Sequence, residues 1–163
     1  QAQVRAVAAC GVDYVKVGIT PGPAALALID GLGTLQAGGI PLVPVFIADE
    51  GVQPVLVARA LRHAFPALML DTQDKLAGDL FRVLSGPTLQ AFVQEVQAAG
   101  RLAGLAGALA LERWGDLAAL APDFAGFRSA VCAGDRAGAL DPLRLAQLVQ
   151  RAASTGSAMA LPA

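Results

Sequence analysis

Lysine is scarce in this sequence of 163 residues, where it occurs at Lys16 and Lys75 and nowhere else. Histidine and tryptophan each occur once, and the two cysteines, Cys10 and Cys132, lie far apart. Two cysteines without metal-ligand spacing provide neither a disulfide framework nor a cysteine-based metal site, so we expect ordinary buried thiols. The scarcity of lysine, in turn, makes the surroundings of its two positions informative.

Charge is also sparse, at 15% of residues with a net charge of −1. Because no cluster of lysine and arginine occurs, we expect neither nucleic acid nor an anionic membrane as a partner, whereas small anions remain possible. No apolar run reaches the roughly 18–20 residues that span a bilayer, and the N-terminal stretch lacks the pattern of a secretion signal. We therefore expect a soluble cytoplasmic protein.

The first eleven residues, QAQVRAVAACG, read as the last turns of a helix that Gly11 closes just before a strand. The chain also begins with Gln1 rather than with methionine. Both features are typical of the middle of a protein, so we expect this sequence to be part of a longer one.

Apolar runs of β type alternate with longer segments of helical period, and 55% of the residues are hydrophobic. This alternation predicts βα units with a parallel sheet and right-handed crossovers. We expect one domain over 1–153 and a tail of small residues over 154–163. The predicted strands lie near 13–19, 41–48, 67–72, 102–109 and 124–131, and the predicted helices near 23–36, 52–65, 87–99, 112–120 and 141–153.

The first of these strands carries a lysine in the middle of an apolar run, DYVKVGI. One face of the strand presents valines and Ile19, and the opposite face presents Tyr14, Lys16 and Gly18. An open sheet covered by helices on both faces would bury the lysine, whereas a TIM-type barrel opens inward-facing residues near strand ends onto the active-site mouth. The pattern therefore favours an α/β fold of the (βα)8 barrel type.

The candidate catalytic residues are Lys16, Asp71 and Lys75, since Asp71 ends a predicted strand and Lys75 follows it in the loop. A strand lysine can simply bury its stem and pair its ammonium with a carboxylate such as Asp13 or Asp71. Because both lysines of the chain occupy corresponding places, we favour a catalytic role. A lysine amine in a tuned environment serves as a base or as a nucleophile for a carbonyl, and a neighbouring carboxylate can shuttle a proton.

The last two predicted strands are rich in glycine, in LAGLAGAL and in FAGFRSAVCAGDRAG. In (βα)8 enzymes the loops after the last two strands often bind phosphate through backbone N–H groups. The same glycines can serve close packing, and Arg128 can pair with Asp123 or Asp135. From the residues alone these two interpretations are evenly balanced, and Gly107, Gly126, Arg128 and Ser129 are the candidates for phosphate binding.

Three further features point away from a site. Gly31 and Gly33 do not follow a strand, which argues against a dinucleotide-binding fingerprint. His63 falls in a predicted helix and is expected on the outer surface. Trp114 has the spacing of helix packing residues, together with Leu117 and Leu120.

The segments GVDYVKVGI, ALMLDTQDK, LAGLAGAL and PDFAGFRSAVCAGDR resemble consecutive landmarks of the (5-formylfuran-3-yl)methyl phosphate synthase family, over roughly 9–151. Members of this family are TIM-barrel enzymes of methanofuran biosynthesis. The resemblance implies a carbon–oxygen lyase that condenses two molecules of glyceraldehyde 3-phosphate through Schiff-base chemistry, with loss of phosphate and water. It also implies no metal and no organic cofactor, and we expect a homo-oligomer.

The resemblance makes Lys16 the lysine of the family's fourth strand, which acts in proton transfer, and makes Asp71 and Lys75 the pair at the end of the sixth strand. Gly107 and Ala108, with the segment 126–129, fall where the substrate phosphate binds. The chain would then cover about the last five βα units of the barrel.

Two departures from the family pattern stand out. The family's imine-forming lysine lies in an Asp-Val-Lys segment on an early strand, and this sequence contains no such segment. Ala108 stands where the family has a serine, and the loop VCAGDR is one residue shorter. Three hypotheses follow: a C-terminal portion of the synthase that is inactive alone, a noncatalytic subunit that completes its barrel with another chain, or a different class I aldolase that uses Lys16 or Lys75.

Overall fold

A computed structural model of the chain describes residues 2–74, 78–134 and 137–154. Strands and helices alternate along it, as the sequence predicts. The strands are β1 (Val15–Ile19), β2 (Leu42–Ile47), β3 (Ala67–Asp71), β4 (Leu102–Leu105) and β5 (Phe124–Ala125). The helices are α1 (Ala2–Ala8), α2 (Ala25–Ala37), α3 (Pro54–Leu61), α4 (Leu80–Val83), α5 (Gly86–Ala98), α6 (Trp114–Leu120) and α7 (Pro142–Ser154).

The five strands form one parallel sheet in the order β1-β2-β3-β4-β5. Consecutive strands are therefore neighbours, which is the order that successive βα units produce in a barrel. The register pairs Lys16 with Val43, and Ile47 with Asp71, on the same face of the sheet. The fold is α/β with a sheet consistent with part of a TIM-like barrel.

The main core lies between one face of the sheet and the helices. Val15 and Ile19 of β1 contribute to it, as the alternation in DYVKVGI predicts, with Val17 packed alongside. Helices α2, α3 and α5 supply most of the opposing surface, through side chains such as Ile29 and Phe92. Burial of these apolar side chains is the main stabilising contribution to the fold.

A second apolar cluster covers the other face of the sheet, and all of its members come from the strands or the residues beside them. Its buried members are Val43, Val45, Ala67, Met69, Ala106 and Phe124. No helix of the described residues contributes to this cluster. Side chains of the strands thus pack against one another, as they do in the interior of a barrel.

The sheet is strongly curved towards this second cluster. In a flat sheet β1 and β5 would lie roughly 19 Å apart, because neighbouring strands are about 4.8 Å apart. Lys16 Nζ on β1 nevertheless lies 5.6 Å from the centroid of the Phe124 ring on β5. Because side chains stand roughly perpendicular to a sheet, the two outer strands can approach in this way only if the sheet curls.

Two strands are much shorter than the sequence predicts. The predicted strand 102–109 ends at Leu105, since Gly107 and Ala108 have φ angles of +117° and +48°, which are incompatible with an extended strand. The predicted strand 124–131 ends at Ala125 and gives way to a 3₁₀ turn at Ser129–Val131.

The ends of the helices and the burial of Trp114 and the two cysteines agree only in part with the expectations from the sequence. Gly11 and Gly100 follow α1 and α5 with φ angles of +77° and +70°, as expected of residues that end helices. Trp114 is buried with Leu117 and Leu120, as predicted. The predicted helix 52–65 ends at Leu61, so His63 lies beyond it. Cys132 is buried, as expected, whereas the expectation of a buried thiol is wrong for Cys10, which follows α1 and is exposed.

Candidate active site

A cavity of about 620 Å³ opens at the carboxyl ends of the strands, above the second apolar cluster. Its floor and walls are apolar, with Val45, Ile47, Met69 and Phe127 among them. Seven of the eight candidate residues from the sequence line this one cavity: Lys16, Asp71, Gly107, Ala108, Gly126, Arg128 and Ser129. The eighth, Lys75, lies outside the described residues.

Lys16 enters the cavity from β1. Its neighbours in sequence, Val15 and Val17, face the helices, so the alternation of the strand directs Lys16 to the concave face. Its Nζ lies over the Phe124 ring, and no carboxylate of the described residues comes within 4.0 Å of it. The ion pair with Asp13 or Asp71 that would make Lys16 merely structural is therefore not formed among those residues.

Asp71 is the last residue of β3 and is partly buried. Its Oδ1 accepts a hydrogen bond of 2.8 Å from the backbone N–H of Thr72. The Thr72 side chain is 2% exposed. Among the described residues, it is the one polar side chain that is buried. This bond orients the Asp71 carboxylate at the strand end, where it lines the cavity together with Lys16.

The turn at Gly107 and Ala108 forms the wall beside Asp71. A Cβ at Gly107 would lie 2.9 Å from Thr72 Oγ1, so only glycine allows β3 and this turn to come so close. The carbonyl of Gly107 accepts a hydrogen bond of 2.9 Å from the N–H of Leu80, at the start of α4. The turn is thus fixed from both sides, by a close approach and by a hydrogen bond.

Gly126, Arg128 and Ser129 follow β5 and form the wall next to the turn at Gly107 and Ala108, since β4 and β5 are neighbouring strands. The N–H of Gly126 donates to the carbonyl of Leu105 over 2.9 Å and so continues the sheet. Gly126 therefore contributes space rather than a free N–H, since a Cβ there would meet Ala106 Cβ at 3.1 Å. Arg128 is exposed and brings a positive charge to this wall.

A family model described as 4-HFC-P synthase matches residues 1–149 of the chain. The chain belongs to this family. A protein of Methylorubrum extorquens named "Putative (5-formylfuran-3-yl)methyl phosphate synthase" is 37% identical over 150 residues, which is 91% of this chain and 62% of that relative. The chain thus spans about 62% of the length of the curated relative that it matches. The family resemblance drawn from the sequence is confirmed.

Three residues that shape the cavity of this 4-HFC-P synthase family member were not predicted from the sequence. Phe127 lines it and stacks on Trp114, with ring centroids 6.1 Å apart. Phe124 lies beneath it, and Thr72 fixes the wall between Asp71 and Gly107. The period-two alternation of PDFAGF could have placed Phe124 on the face of Gly126, but the packing of Thr72 depends on a contact between two strands.

A second polar group lies beside the cavity, where the loops after β1, β2 and β3 meet. The Asp49 carboxylate accepts hydrogen bonds of 2.7 Å and 2.8 Å from the N–H groups of Gln73 and Asp74. These bonds fix the start of the loop that leads to Lys75.

Among residues 2–74, 78–134 and 137–154, no three histidine, cysteine or acidic side chains are grouped as metal ligands. None of the helices in those ranges is long and apolar enough to cross a membrane.

Proposed function

We propose that this chain is the part of a (5-formylfuran-3-yl)methyl phosphate synthase that carries the proton-transfer residues and the phosphate-binding wall. The observation that carries the proposal is the meeting of Lys16, Asp71 and the turn at Gly107 in one cavity of a chain of this family. Its substrate is glyceraldehyde 3-phosphate, two molecules of which condense to the furan aldehyde phosphate with loss of phosphate and water. The reaction is that of a carbon–oxygen lyase.

In this proposal Lys16 and Asp71 transfer protons. Formation of a furan ring from two trioses requires protons to be removed next to a carbonyl and delivered to departing hydroxyl and phosphate groups. A lysine and a carboxylate on neighbouring parts of one cavity suit these opposite tasks, because their environments differ. Lys75, four residues after Asp71 in the sequence, is the third member of the proposed set.

The phosphate is bound at the wall formed by Gly107, Ala108, Arg128 and Ser129. Arg128 provides charge, and the Ser129 hydroxyl is a hydrogen-bond donor. The apolar floor of the cavity keeps water away from the carbon skeleton, which favours dehydration. A volume of about 620 Å³ is in the ordinary range for a site that holds small-molecule substrates.

We further propose that the remaining strands of the barrel, and the imine-forming lysine, lie outside these 163 residues. Within the described part of the chain, β1 and β5 each pair with one strand only, although the sheet between them curls. The curated relative is longer than this chain by about the amount that such strands need, since the chain covers 62% of it. The oligomer predicted from the sequence would then form between complete barrels.

The experiment that tests the proposal is an assay of the longest natural form of the protein with glyceraldehyde 3-phosphate. Phosphate release and formation of an aldehyde with furan absorbance are followed together, and the product is identified by mass spectrometry. The proposal predicts one phosphate released for each furan formed. Phosphate release without a furan, or no reaction, would contradict it.

One observation favours a second candidate, a class I aldolase. Lys16 is exposed to the cavity and forms no ion pair with a described carboxylate, as an imine-forming amine requires. In this case Lys16 or Lys75 would itself bind the carbonyl carbon. Trapping of the imine distinguishes the two functions, because it identifies the lysine that reacts.

A further inference from the structure

Phe124 on β5 packs against Gly104 on β4 and contacts Lys16. No sequence motif suggested this contact. Gly104 and Phe124 are paired in the register of the sheet and face the concave side. A Cβ at Gly104 would lie 2.2 Å from Cζ of Phe124 and 2.3 Å from its Cε2. The missing side chain at Gly104 therefore makes the space in which the ring lies.

The Phe124 ring is buried at 3% exposure and is held on the concave face by Met69 and Ala106, which belong to the same cluster. Lys16 reaches it from β1, across the whole width of the sheet, and its Nζ lies 5.6 Å from the ring centroid. This is within the distance of about 6 Å at which the negative face of an aromatic ring attracts an ammonium group.

The other charged groups of the cavity do not replace this contact. Asp71 and Arg128 line the same cavity, but no described carboxylate lies within 4.0 Å of Nζ. Among the described residues, the Phe124 ring is thus the group whose face the Lys16 amine contacts.

We propose that Phe124, seated on Gly104, is a positioning residue that holds Lys16 as an ammonium at the floor of the cavity. Lys16 then donates a proton to the reacting groups, or its positive charge stabilises negative charge on them. It is not the amine that attacks a carbonyl. The role of Lys16 in the reaction rests on the proposed function. The attraction between the Phe124 ring and the Lys16 ammonium group does not depend on it.

The test replaces Phe124, in the longest natural form of the protein, by 4-fluoro-, 3,5-difluoro- and 3,4,5-trifluorophenylalanine. Fluorine withdraws charge from the ring face and leaves the shape of the side chain nearly unchanged, so the series weakens the attraction stepwise without removing the packing. The rate of reductive methylation of Lys16 by formaldehyde and cyanoborohydride is measured by peptide mass spectrometry. Only the uncharged amine reacts, so a held ammonium is methylated slowly.

The expected result is a stepwise rise in the Lys16 rate, reaching about two- to fivefold with the trifluoro ring, which is the size of a single cation–π contact. The matched control is the same series at Phe92, which is also 3% exposed but lies in the main core under the helices. The Phe92 series should leave the Lys16 rate unchanged. The rate at Lys75 should stay constant in both series.

A flat Lys16 rate along the Phe124 series, or an equal rise in the Phe92 series, would overturn the proposal. Methylation needs no substrate and no turnover, so it separates this inference from the proposed function. If the Lys16 rate rises as expected and the protein forms no furan, the ring holds the ammonium and the proposed reaction is wrong. If a furan forms and the Lys16 rate stays flat, the reaction stands and the role of Phe124 falls.

Discussion

At the scale of single residues, the proposed proton transfer depends on the carboxylate at the end of β3. Asp71 lines the cavity, and its Oδ1 already accepts the N–H of Thr72. We expect Asp71→Asn to lower kcat for furan formation by about 10²- to 10⁴-fold, because the amide cannot transfer a proton and general acid–base catalysis contributes factors of this size. Circular dichroism should be unchanged.

The control for this prediction is Asp116→Asn. Asp116 is exposed on α6 and pairs with Arg113 over 2.9 Å, outside the cavity lining. The change should leave kcat within about twofold, since an exposed ion pair contributes little to stability. If both variants lose activity equally, the loss comes from general damage and the role of Asp71 is not supported.

The turn beside Asp71 makes a second prediction at this scale. Gly107 has a φ of +117°, and a Cβ would approach Thr72 Oγ1 to 2.9 Å. Gly107→Ala should therefore lower the free energy of unfolding by about 1–3 kcal/mol, through backbone strain and crowding. Urea unfolding of the natural protein and the variant measures this difference.

Gly115→Ala provides the matched comparison. Gly115 lies in α6, where a Cβ would meet no atom within 4 Å. Alanine is the better helix former, so this variant should be as stable as the natural protein or more stable by up to about 1 kcal/mol. Equal destabilisation by the two changes would contradict the close approach at Gly107.

Residue by residue, the sequence predicted the residues that line the cavity better than the contacts that support them. The scarcity of lysine and the position of Asp71 at a strand end led to Lys16 and Asp71, and the glycine-rich last strands and the family resemblance led to the other candidates that line the cavity. Thr72 and Gly104 could not be found in this way, because their importance comes from what another strand places against them. The roles of the cavity residues stay predictions that the experiments above test.

At the scale of elements, a polar clamp joins α2 to α3 on the outside of the fold. Arg59 forms two hydrogen bonds of 2.7 Å to the Asp30 carboxylate, and His63 Nε2 lies 3.0 Å from Asp30 Oδ1. His63 also packs against Gly33 so closely that a Cβ there would touch its ring. The sole histidine is thus an outer-layer residue, as the sequence predicts, with a structural contact that the sequence did not predict.

This clamp makes stability depend on pH. The hydrogen bonds from Arg59 and then His63 hold the pKa of Asp30 well below its ordinary value of about 3.9. A carboxyl with a lowered pKa stabilises the fold above its ordinary pKa, and this contribution is lost as the pH falls towards the folded-state pKa. Asp30→Asn should therefore lower the thermal midpoint at pH 7, and the difference from the natural protein should narrow below about pH 4.

The measurement is the thermal midpoint of both proteins from pH 7 to pH 3, at low and at high salt. Added salt should also narrow the difference, because Asp30 and Arg59 are 40% and 39% exposed and their attraction is screened. A difference between the two proteins that stays constant over this pH range would show that the clamp does not depend on the Asp30 charge.

The elements themselves were predictable in type and order but not always in length. Strands β1, β2 and β3 follow the apolar runs closely, since buried parallel strands have this composition. Strands β4 and β5 end early, where glycines and small residues permit turns that an apolar pattern does not reveal. The short helix α4 was missed for a different reason, because one helical turn leaves too few residues for a period.

At the scale of the whole molecule, the chain is a curved parallel sheet with helices on one face and an apolar, cavity-bearing face on the other. The alternation of strand and helix predicted this architecture, and the inward-facing lysine predicted which face carries the cavity. The closure of the sheet into a barrel is part of the proposal, since the chain covers 62% of its curated relative.

In the proposed reaction, Lys16 transfers protons while a lysine elsewhere in the natural protein forms the imine. The most direct test is borohydride trapping of the longest natural form with glyceraldehyde 3-phosphate, followed by intact mass and peptide mapping. We expect one adduct, on a lysine outside residues 1–163. An adduct on Lys16 or Lys75 would contradict this expectation and would identify the protein as a different class I aldolase.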